Sequence, residues 1–439
     1  MSAVLFIVMG ELAFALWATR RLELRERRFA LVALAFHIAS SFGQYALQEY
    51  YYRGDAFGYL ESGADLARLL DFDFLHFAPE VLRLAAHLDA DLPFHTLGAG
   101  SSTGTMSALA GFSVWAFGPS LLPACLVTTI VGWFGQLCLY RVAREELAPN
   151  EKTAALVGCL LVPSVVFWGS AFAKEAFALG PFGLLALSSH QFFRKRGIFP
   201  LIGVLLGGLG VALFKAYILF PYVIAVASWI YAERIQGSDG TLYFRPAYLV
   251  LALTVALGGI AGIATIFPEF GVGRIAETVA DQQGNWLKIG DSGSVVEMGS
   301  EEARSLSGQL PFVPLALANA LFRPLIFEAR NGPMLGAAIE TTALAFGVIR
   351  LLWQFSWART RAAVLRSPPL VFSVVFILSF GLAVGLATSN LGSLSRYRVP
   401  MMPFYVTTLL VLGVRLRTRA LEATQNSISQ DNAATLRTR

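Results

Sequence analysis

The chain has 439 residues, of which 56% are hydrophobic and only 14% are charged, and its formal net charge is +5. Soluble domains carry about 25% charged residues, so a water-soluble fold of this length is excluded. The basic residues lie in short clusters between apolar runs, which is the positive-inside pattern of membrane proteins and argues against nucleic acid as a partner.

Eleven apolar stretches are long enough to cross a bilayer, which takes roughly 20 residues per helix. They lie at 1–19, 29–47, 120–140, 153–172, 175–193, 198–214, 216–232, 247–267, 333–354, 369–388 and 400–414. The sequence therefore predicts an all-α, polytopic transmembrane helical bundle of about 11 spans. The first stretch resembles a signal peptide, but its basic cluster follows the apolar run instead of preceding it. We therefore interpret it as a retained helix with its N-terminus outside.

Arginine and lysine set the predicted orientation. With eleven spans, all the basic clusters between the helices fall on one side, and the long loops 48–106 and 268–312 fall on the other. The first loop has nine acidic and three basic residues, and the second has seven and three. The sequence thus predicts a basic cytoplasmic face and an acidic outer face. Residues 420–439 form a polar tail, predicted to be cytoplasmic and disordered.

The first outer loop has structure of its own. Segments 59–70 and 79–88 each place apolar residues on one helical face, which predicts short helices lying on the membrane surface. Two shorter apolar stretches, 106–118 and 312–326, are predicted to be re-entrant or interfacial. The Gly, Ser and Thr-rich stretch 98–104 lacks the Gly-Lys-Ser/Thr ending of a P-loop. It is therefore either a flexible connector or a phosphate-binding loop.

Asp55 is the first candidate functional residue, because it lies just past the outer end of span 29–47 among several aromatic residues. Gly54 leaves room for a ligand beside the backbone, and the aromatic neighbours supply a partly apolar pocket. The alternative is an ordinary solvated acid in a loop.

Lys174 and Glu175 form the second candidate, because spans 153–172 and 175–193 meet there with almost no connecting loop. The pair is therefore held at the outer rim, where charge close to apolar helices indicates function. The alternative is a lysine that extends its ammonium group to the interface at a tight hairpin.

A third group of candidates consists of cations that the topology places outside, against the positive-inside pattern. They are Lys215, Arg323, Arg330, Arg396 and Arg398. An anionic ligand would explain them, since the planar guanidinium group binds two phosphate oxygens at once. The alternative is pairing with nearby acids such as Glu328 or Glu175.

Several short motifs carry a resemblance to a known family. They are Gly54-Asp55-Ala56-x-x-Tyr59, Phe117-Gly118-Pro119-Ser120, Leu139-Tyr140-Arg141 and Arg396-Tyr397-Arg398-Val399-Pro400. In this order the chain resembles the GT-C superfamily of membrane glycosyltransferases, such as the protein O-mannosyltransferases and the bacterial aminoarabinose transferases. Many relatives carry an adjacent acidic pair in the first loop, whereas here Asp55 is followed by Ala56.

The resemblance implies one GT-C-like transmembrane domain over residues 1–419, located in the bacterial inner membrane with an extracytoplasmic active site. It implies inverting transfer of a sugar from a polyprenyl-phosphate donor to a saccharide, lipid or protein acceptor, with Asp55 as the catalytic base. The residues predicted to bind substrate are Tyr59, Lys174, Glu175, Lys215, Arg323, Arg396 and Arg398. The sequence indicates no definite cofactor, although a divalent metal could share the stabilisation of charge, with Glu175 as a ligand.

Two other functions are also compatible with the sequence. One is a polysaccharide polymerase of the O-antigen type, which transfers whole lipid-linked repeat units. The other is a non-enzymatic flippase or transporter of lipid-linked sugars. A transporter would need polar residues at mid-membrane, usually with broken helices. The sequence offers few of them, such as Glu11, His37 and Glu340, which favours chemistry at the rim.

Overall fold

The structure, a computed structural model, is built from helices. It describes residues 2–236, 242–266, 274, 279–281, 283, 306–388 and 390–437. Across those ranges there is no β-strand, and an isolated bridge joins Gln236 to Leu242. The all-α prediction is therefore confirmed. Most of the second predicted outer loop, 268–312, lies outside the described residues.

We number the α-helices in chain order. They are α1 Ser2–Ala18, α2 Leu24–Tyr50, α3 Asp55–Phe72, α4 Phe74–Ala85, α5 Ser102–Phe117, α6 Leu121–Glu146, α7 Lys152–Leu160, α8 Pro163–Trp168, α9 Lys174–Lys195, α10 Ile198–Lys215, α11 Leu219–Ile235, α12 Pro246–Ile266, α13 Leu306–Gln309, α14 Val313–Phe322, α15 Gly332–Gln354, α16 Trp357–Leu365, α17 Pro368–Ala387, α18 Leu391–Tyr397 and α19 Met402–Arg437. Single turns of 3₁₀-helix lie at Pro149–Glu151, Ala216–Ile218, Leu310–Phe312, Ile326–Glu328 and Val399–Met401.

Seven stretches of the described chain are helical, long enough and apolar enough to cross a membrane. They are Leu24–Tyr50, Leu121–Glu146, Ile198–Ile235, Pro246–Thr265, Gly332–Gln354, Pro368–Ala387 and Val399–Glu422. The chain is therefore a membrane protein with several transmembrane helices. Seven is fewer than the eleven spans predicted, in part because Ile198–Ile235 joins α10 and α11 into one stretch.

The direction of the chain reverses between α10 and α11. Lys215 has φ −151° and ψ 64°, which interrupts the helix. Helix α10 packs antiparallel to α9, whereas α11 runs parallel to it. The contacting pairs are Gly210–Pro181 and Gly203–Ser188 for α10, and Tyr222–Phe182 and Trp229–Phe193 for α11. The two helices therefore form a hairpin with Lys215 at its apex.

Glycines allow α9 to pack closely against α6. A Cβ atom added at Gly183 would collide with the backbone carbonyl of Gly135, and one added at Gly135 would collide with that of Leu179. Because the two backbones touch, α9 is held firmly at its place in the bundle. This packing fixes the position of Lys174 and Glu175 at the start of α9.

The predicted span 153–172 is broken in the structure. Helix α7 ends at Leu160, and α8 begins at Pro163 after an extended Val162 with φ −68° and ψ 118°. Proline has no backbone N–H to continue the helix, and it disfavours helical backbone in the residue before it. The chain therefore changes direction in the middle of this apolar stretch.

The first predicted loop folds into three helices, α3, α4 and α5. Gly63 of α3 touches the backbone of α5 at Ala110 and Gly111, and a small apolar core joins the three helices. The amphipathic helices predicted at 59–70 and 79–88 correspond to α3 and to part of α4, and stretch 106–118 belongs to α5.

Charged side chains gather at two opposite ends of the bundle. At the first end, Glu26 pairs with Arg144 at 2.7 Å, and Glu151 pairs with Arg415 at 2.7 Å. The second end, which we call the Asp55 end, carries the candidate site. The polar tail predicted to be disordered at 420–439 continues α19 as far as Arg437. No proline or glycine follows Gly413 to stop that helix.

Candidate functional site

Asp55 is the first residue of α3, and the extended Gly54 caps that helix. A carboxylate is favoured at this position because it faces the positive end of the helix dipole. The side chain of Asp55 is 58% exposed and lines a large cavity. It is therefore accessible to a ligand.

Glu175 is the central acid of the site. It follows Lys174 in the first turn of α9, after an extended Ala173, and it is only 3% exposed. Its Oε1 atom accepts a hydrogen bond of 2.8 Å from Nζ of Lys215 and lies 3.4 Å from Nε of Arg396. A buried carboxylate of this kind is stable only when it is paired, and here two cations pair with it.

Lys215 reaches Glu175 from the apex of the α10–α11 hairpin. Its ammonium group lies 4.2 Å from the ring centre of Tyr397 and 5.5 Å from that of Tyr217. Cation–π contacts at these distances stabilise a positive charge that has lost its water. Lys215 is thus held by one carboxylate and two aromatic rings.

Arg396 links the two acids of the site. It belongs to α18, and its Nη1 donates a hydrogen bond of 3.1 Å to Oδ2 of Asp55 while its Nε faces Glu175. Burial opposes its charge, but Glu175, Tyr397 and Asp55 together hold the pKa of Arg396 well above its ordinary value. The guanidinium group therefore stays charged at any physiological pH.

Lys174 differs from the other two cations, because no carboxylate within the described ranges lies within ion-pair distance of it. Its ammonium group donates to Oγ1 of Thr103 at 2.7 Å and lies 6.0 Å from the ring centre of Tyr59. Lys174 precedes the predicted span 175–193. Burial, together with the charge of Lys215, lowers its pKa to about 8.

These side chains line one cavity of about 1210 Å³. Its polar end is formed by Asp55, Tyr59, His87, Lys174, Glu175, Lys215, Arg396 and Tyr397. Its apolar wall comes from α10, α11 and α17, through residues such as Leu213, Phe220, Ile224, Leu382 and Leu386. Three cations and two acids therefore share a space that is apolar on its other side. Such a cavity suits a ligand with an anionic head and a hydrocarbon chain.

Three of the candidate cations, Arg323, Arg330 and Arg398, do not line this cavity. Arg323 donates from Nε to Glu328 at 2.8 Å and from Nη1 to Asn319 at 3.0 Å. Arg398 is completely buried and donates to the backbone oxygen of Arg323 at 2.8 Å. The alternative interpretation from the sequence, pairing with nearby acids, thus describes Arg323 through Glu328, and it also describes Lys215 and Arg396 through Glu175.

Three residues of the site are absent from the sequence-based candidates. Tyr397 and Tyr217 flank Lys215. Tyr397 follows Arg396 directly and Tyr217 lies two residues after Lys215, so their closeness in sequence to candidate cations could have indicated them. His87 lies beside the cavity with a left-handed backbone, φ 61°, and bonds Oγ1 of Thr105 at 2.9 Å. Burial lowers the pKa of His87, so it is neutral at pH 7. The sequence gives no comparable signal for this histidine.

Tyr59, predicted to bind substrate, is 6% exposed and faces Lys174 across the cavity. Burial raises its pKa above the ordinary value, so its hydroxyl group stays protonated.

A divalent metal fits these residues poorly. Oε1 of Glu175 already faces two cations, and Oδ2 of Asp55 faces Arg396. Across the described residues, no three His, Cys, Asp or Glu side chains gather into a metal-binding group.

Comparison of the chain with protein-family models, with curated proteins and with solved structures finds no match.

Proposed function

We propose that this protein is an inverting glycosyltransferase of the GT-C type. It would move a sugar from a polyprenyl-phosphate donor to an acceptor at the outer face of a bacterial cytoplasmic membrane. One observation carries the proposal: Asp55, Lys174, Lys215 and Arg396 line the same cavity, although they are far apart in sequence. The motifs that resemble the family supply Asp55 and Arg396.

The proposed reaction uses Asp55 as the general base. Its carboxylate takes the proton from an acceptor hydroxyl group, whose oxygen attacks the anomeric carbon of the donor sugar. The bond from that carbon to the phosphate oxygen breaks, and the lipid phosphate leaves with the bonding electrons. Lys174, Lys215 and Arg396 stabilise the negative charge that develops on the phosphate.

The apolar wall of the cavity supports a lipid-linked donor over a soluble sugar nucleotide. The apolar side chains of α10, α11 and α17 face the same space as the cations. A polyprenyl chain could lie against them with its phosphate at the polar end. A soluble nucleotide sugar would bring no hydrocarbon to cover this wall.

For the topology we propose the eleven predicted spans. The hairpin at Lys215 divides Ile198–Ile235 into two crossings, and α1, the α7–α8 pair and α9 supply the others. With these crossings the Asp55 end faces outward, and the end with Glu26, Glu151 and Arg415 faces the cytoplasm. The arginine-rich clusters of the sequence then follow the positive-inside pattern.

A lipid-linked sugar flippase is the second candidate function, and one observation favours it. His37, at mid-bundle, is completely buried and hydrogen-bonds to Gln136 at 2.9 Å and to Ser170 at 2.8 Å. However, both ring nitrogens are satisfied within the protein, as expected for a structural network.

A polymerase of the O-antigen type would use the same chemistry as the proposed transferase. Its product, a whole transferred oligosaccharide, would distinguish it.

The proposal is tested with purified protein in lipid nanodiscs. Mass spectrometry of co-purified lipid should identify a polyprenyl phosphate or its glycosylated form in the wild type, and less of it in Lys174→Met. Candidate acceptors are then added to the loaded protein. Release of free polyprenyl phosphate with transfer of one sugar supports the transferase, whereas transfer of a whole oligosaccharide indicates a polymerase. In proteoliposomes of the same protein, movement of labelled lipid between leaflets without transfer would overturn the proposal in favour of a flippase.

A further inference from the structure

Glu175 has an unusual position among the charged groups of the cavity. The charges alternate in sign from Lys215 to Glu175 to Arg396 to Asp55, with successive distances of 2.8, 3.4 and 3.1 Å. Glu175 is the only one of the four that contacts two cations, and it is the more buried of the two acids. Its Oε1 atom faces both cations and the residue is only 3% exposed, so the carboxylate is hardly accessible to a ligand.

We propose that Glu175 is a positioning residue, which holds Lys215 and Arg396 in place and does not itself contact the donor. This inference rests on the proposed function. Without a buried negative charge, three cations would share the cavity with Asp55 alone. Arg396, no longer drawn toward Glu175, would then pair more closely with Asp55. The carboxylate of Glu175 thus keeps Arg396 between the two acids and leaves Asp55 able to accept a proton.

The rigid setting of Glu175 supports a positioning role. It lies in the first turn of α9, the helix whose glycines touch the backbone of α6. Lys215 is confined on its other sides by the rings of Tyr217 and Tyr397. A fixed acid and a confined lysine together define the place of the Arg396 guanidinium group, as preorganised charge stabilisation requires.

The kinetic test uses Glu175→Gln, with Glu151→Gln as the matched control. Glu151 is equally buried and pairs with Arg415 at 2.7 Å, but it lies at the opposite end of the bundle. We expect Glu175→Gln to lower kcat by about 10²-fold, the loss typical of a misplaced catalytic group. The KM for the anionic donor should stay the same or fall, because the cavity becomes more positive. Glu175→Asp, which keeps the charge, should recover part of kcat.

Two kinetic outcomes would overturn the inference. If Glu175→Gln raises the donor KM and keeps kcat, Glu175 contacts the donor directly. If Glu175→Gln and Glu151→Gln change kcat equally, the effect is one of general stability.

A second test needs no transferase assay, so it remains informative if the proposed function fails. The melting temperatures of Glu175→Gln, Lys215→Met and the double variant are compared in detergent. Removing one partner leaves a buried charge unpaired, whereas removing both restores the balance. The double variant should therefore melt above Glu175→Gln. Farnesyl phosphate, as the probe, should bind Glu175→Gln at least as tightly as the wild type. A double variant that melts no higher, or weaker probe binding by Glu175→Gln, contradicts the inference.

Discussion

Arg396 donates a hydrogen bond of 3.1 Å to Asp55, although the two residues are 341 positions apart in the chain. One carboxylate oxygen of the proposed base is therefore paired with a cation, while the side chain of Asp55, 58% exposed, remains open to an acceptor. The same guanidinium group lies 3.4 Å from Glu175, so it is held between the base and the buried acid.

Replacement of Asp55 with Asn should abolish transfer and leave donor binding largely intact. A base that acts in the transition state contributes to rate more than to ground-state affinity, and its loss should lower kcat by about 10²-fold or more. Turnover and donor affinity are measured on the same preparation. Asp65→Asn is the control, because Asp65 lies on the same helix and pairs with Arg68 at 2.8 Å on the surface. Near-wild-type turnover of Asp55→Asn would remove Asp55 from the mechanism.

Arg396 and Arg398 should respond differently to the same substitution with Met. Arg396→Met removes a cation from the cavity, so donor affinity and kcat should both fall. Arg398→Met removes a buried donor to the backbone of Arg323, so the melting temperature should fall while the donor affinity of the folded protein is retained. Donor binding and thermal melting of the two variants check this. Loss of donor affinity in Arg398→Met alone would reverse the assignment.

Because of Lys174, the kcat/KM of the reaction should change near pH 8. Because burial lowers its pKa to about 8, the ammonium group loses its charge above that pH. The kcat/KM for an anionic donor should then decline above pH 8 and stay level just below it. Folding stability should change in the opposite sense. Between pH 8 and 10.5 the unfolded chain binds more protons at Lys174 than the folded one, so this residue makes stability rise with pH.

The control for this prediction is Lys174→Met, which should lack the step and bind the donor more weakly at pH 7. A step near pH 8 that persists in Lys174→Met must arise from another group.

The proposed topology places Asp71 and Thr424 on opposite sides of the membrane. Both are exposed, so single cysteines there can be labelled with an impermeant reagent in intact cells. The native cysteines Cys125, Cys138 and Cys159 are buried, which keeps background labelling low. Asp71→Cys should react from outside, and Thr424→Cys should react only after lysis. Reaction of both from the same side would contradict the eleven-span topology.

The sequence predicts how deep the site residues lie in the membrane better than it predicts the direction in which their side chains point. Lys174, Lys215 and Arg396 each follow or precede an apolar run, and their depth follows from the length of that run. Arg396 and Arg398 have nearly the same depth, yet one faces the cavity and the other is buried beside Arg323. Residues two positions apart on an α-helix lie roughly 200° apart around its axis, so the spacing allows only one of the two arginines to face the cavity. Which of the two it is depends on how α18 packs against its neighbours.

Hydrophobicity alone also misses changes of direction within an apolar run. Stretch 153–172 has the composition of one span, but Pro163 divides it into α7 and α8. In contrast, the reversal at Lys215 is predicted, because a charged residue lies between two apolar stretches. A charge marks the end of a span more clearly than a proline does, since only the charge must leave the hydrocarbon.

The glycine contacts of α9 bear on substrate selectivity. Backbone contact ties α9 to α6 through Gly135 and Gly183, and Gly207 brings α10 within 2.6 Å of the backbone of α9, measured from an added Cβ. Lys174, Glu175 and Lys215 therefore belong to one tightly packed block, whereas Asp55 and Arg396 approach it on separate helices. On the proposed function, two of the three cations that would hold the phosphate, Lys174 and Lys215, are fixed relative to each other by helix packing. Such an enzyme should be strict about the head group of its lipid donor.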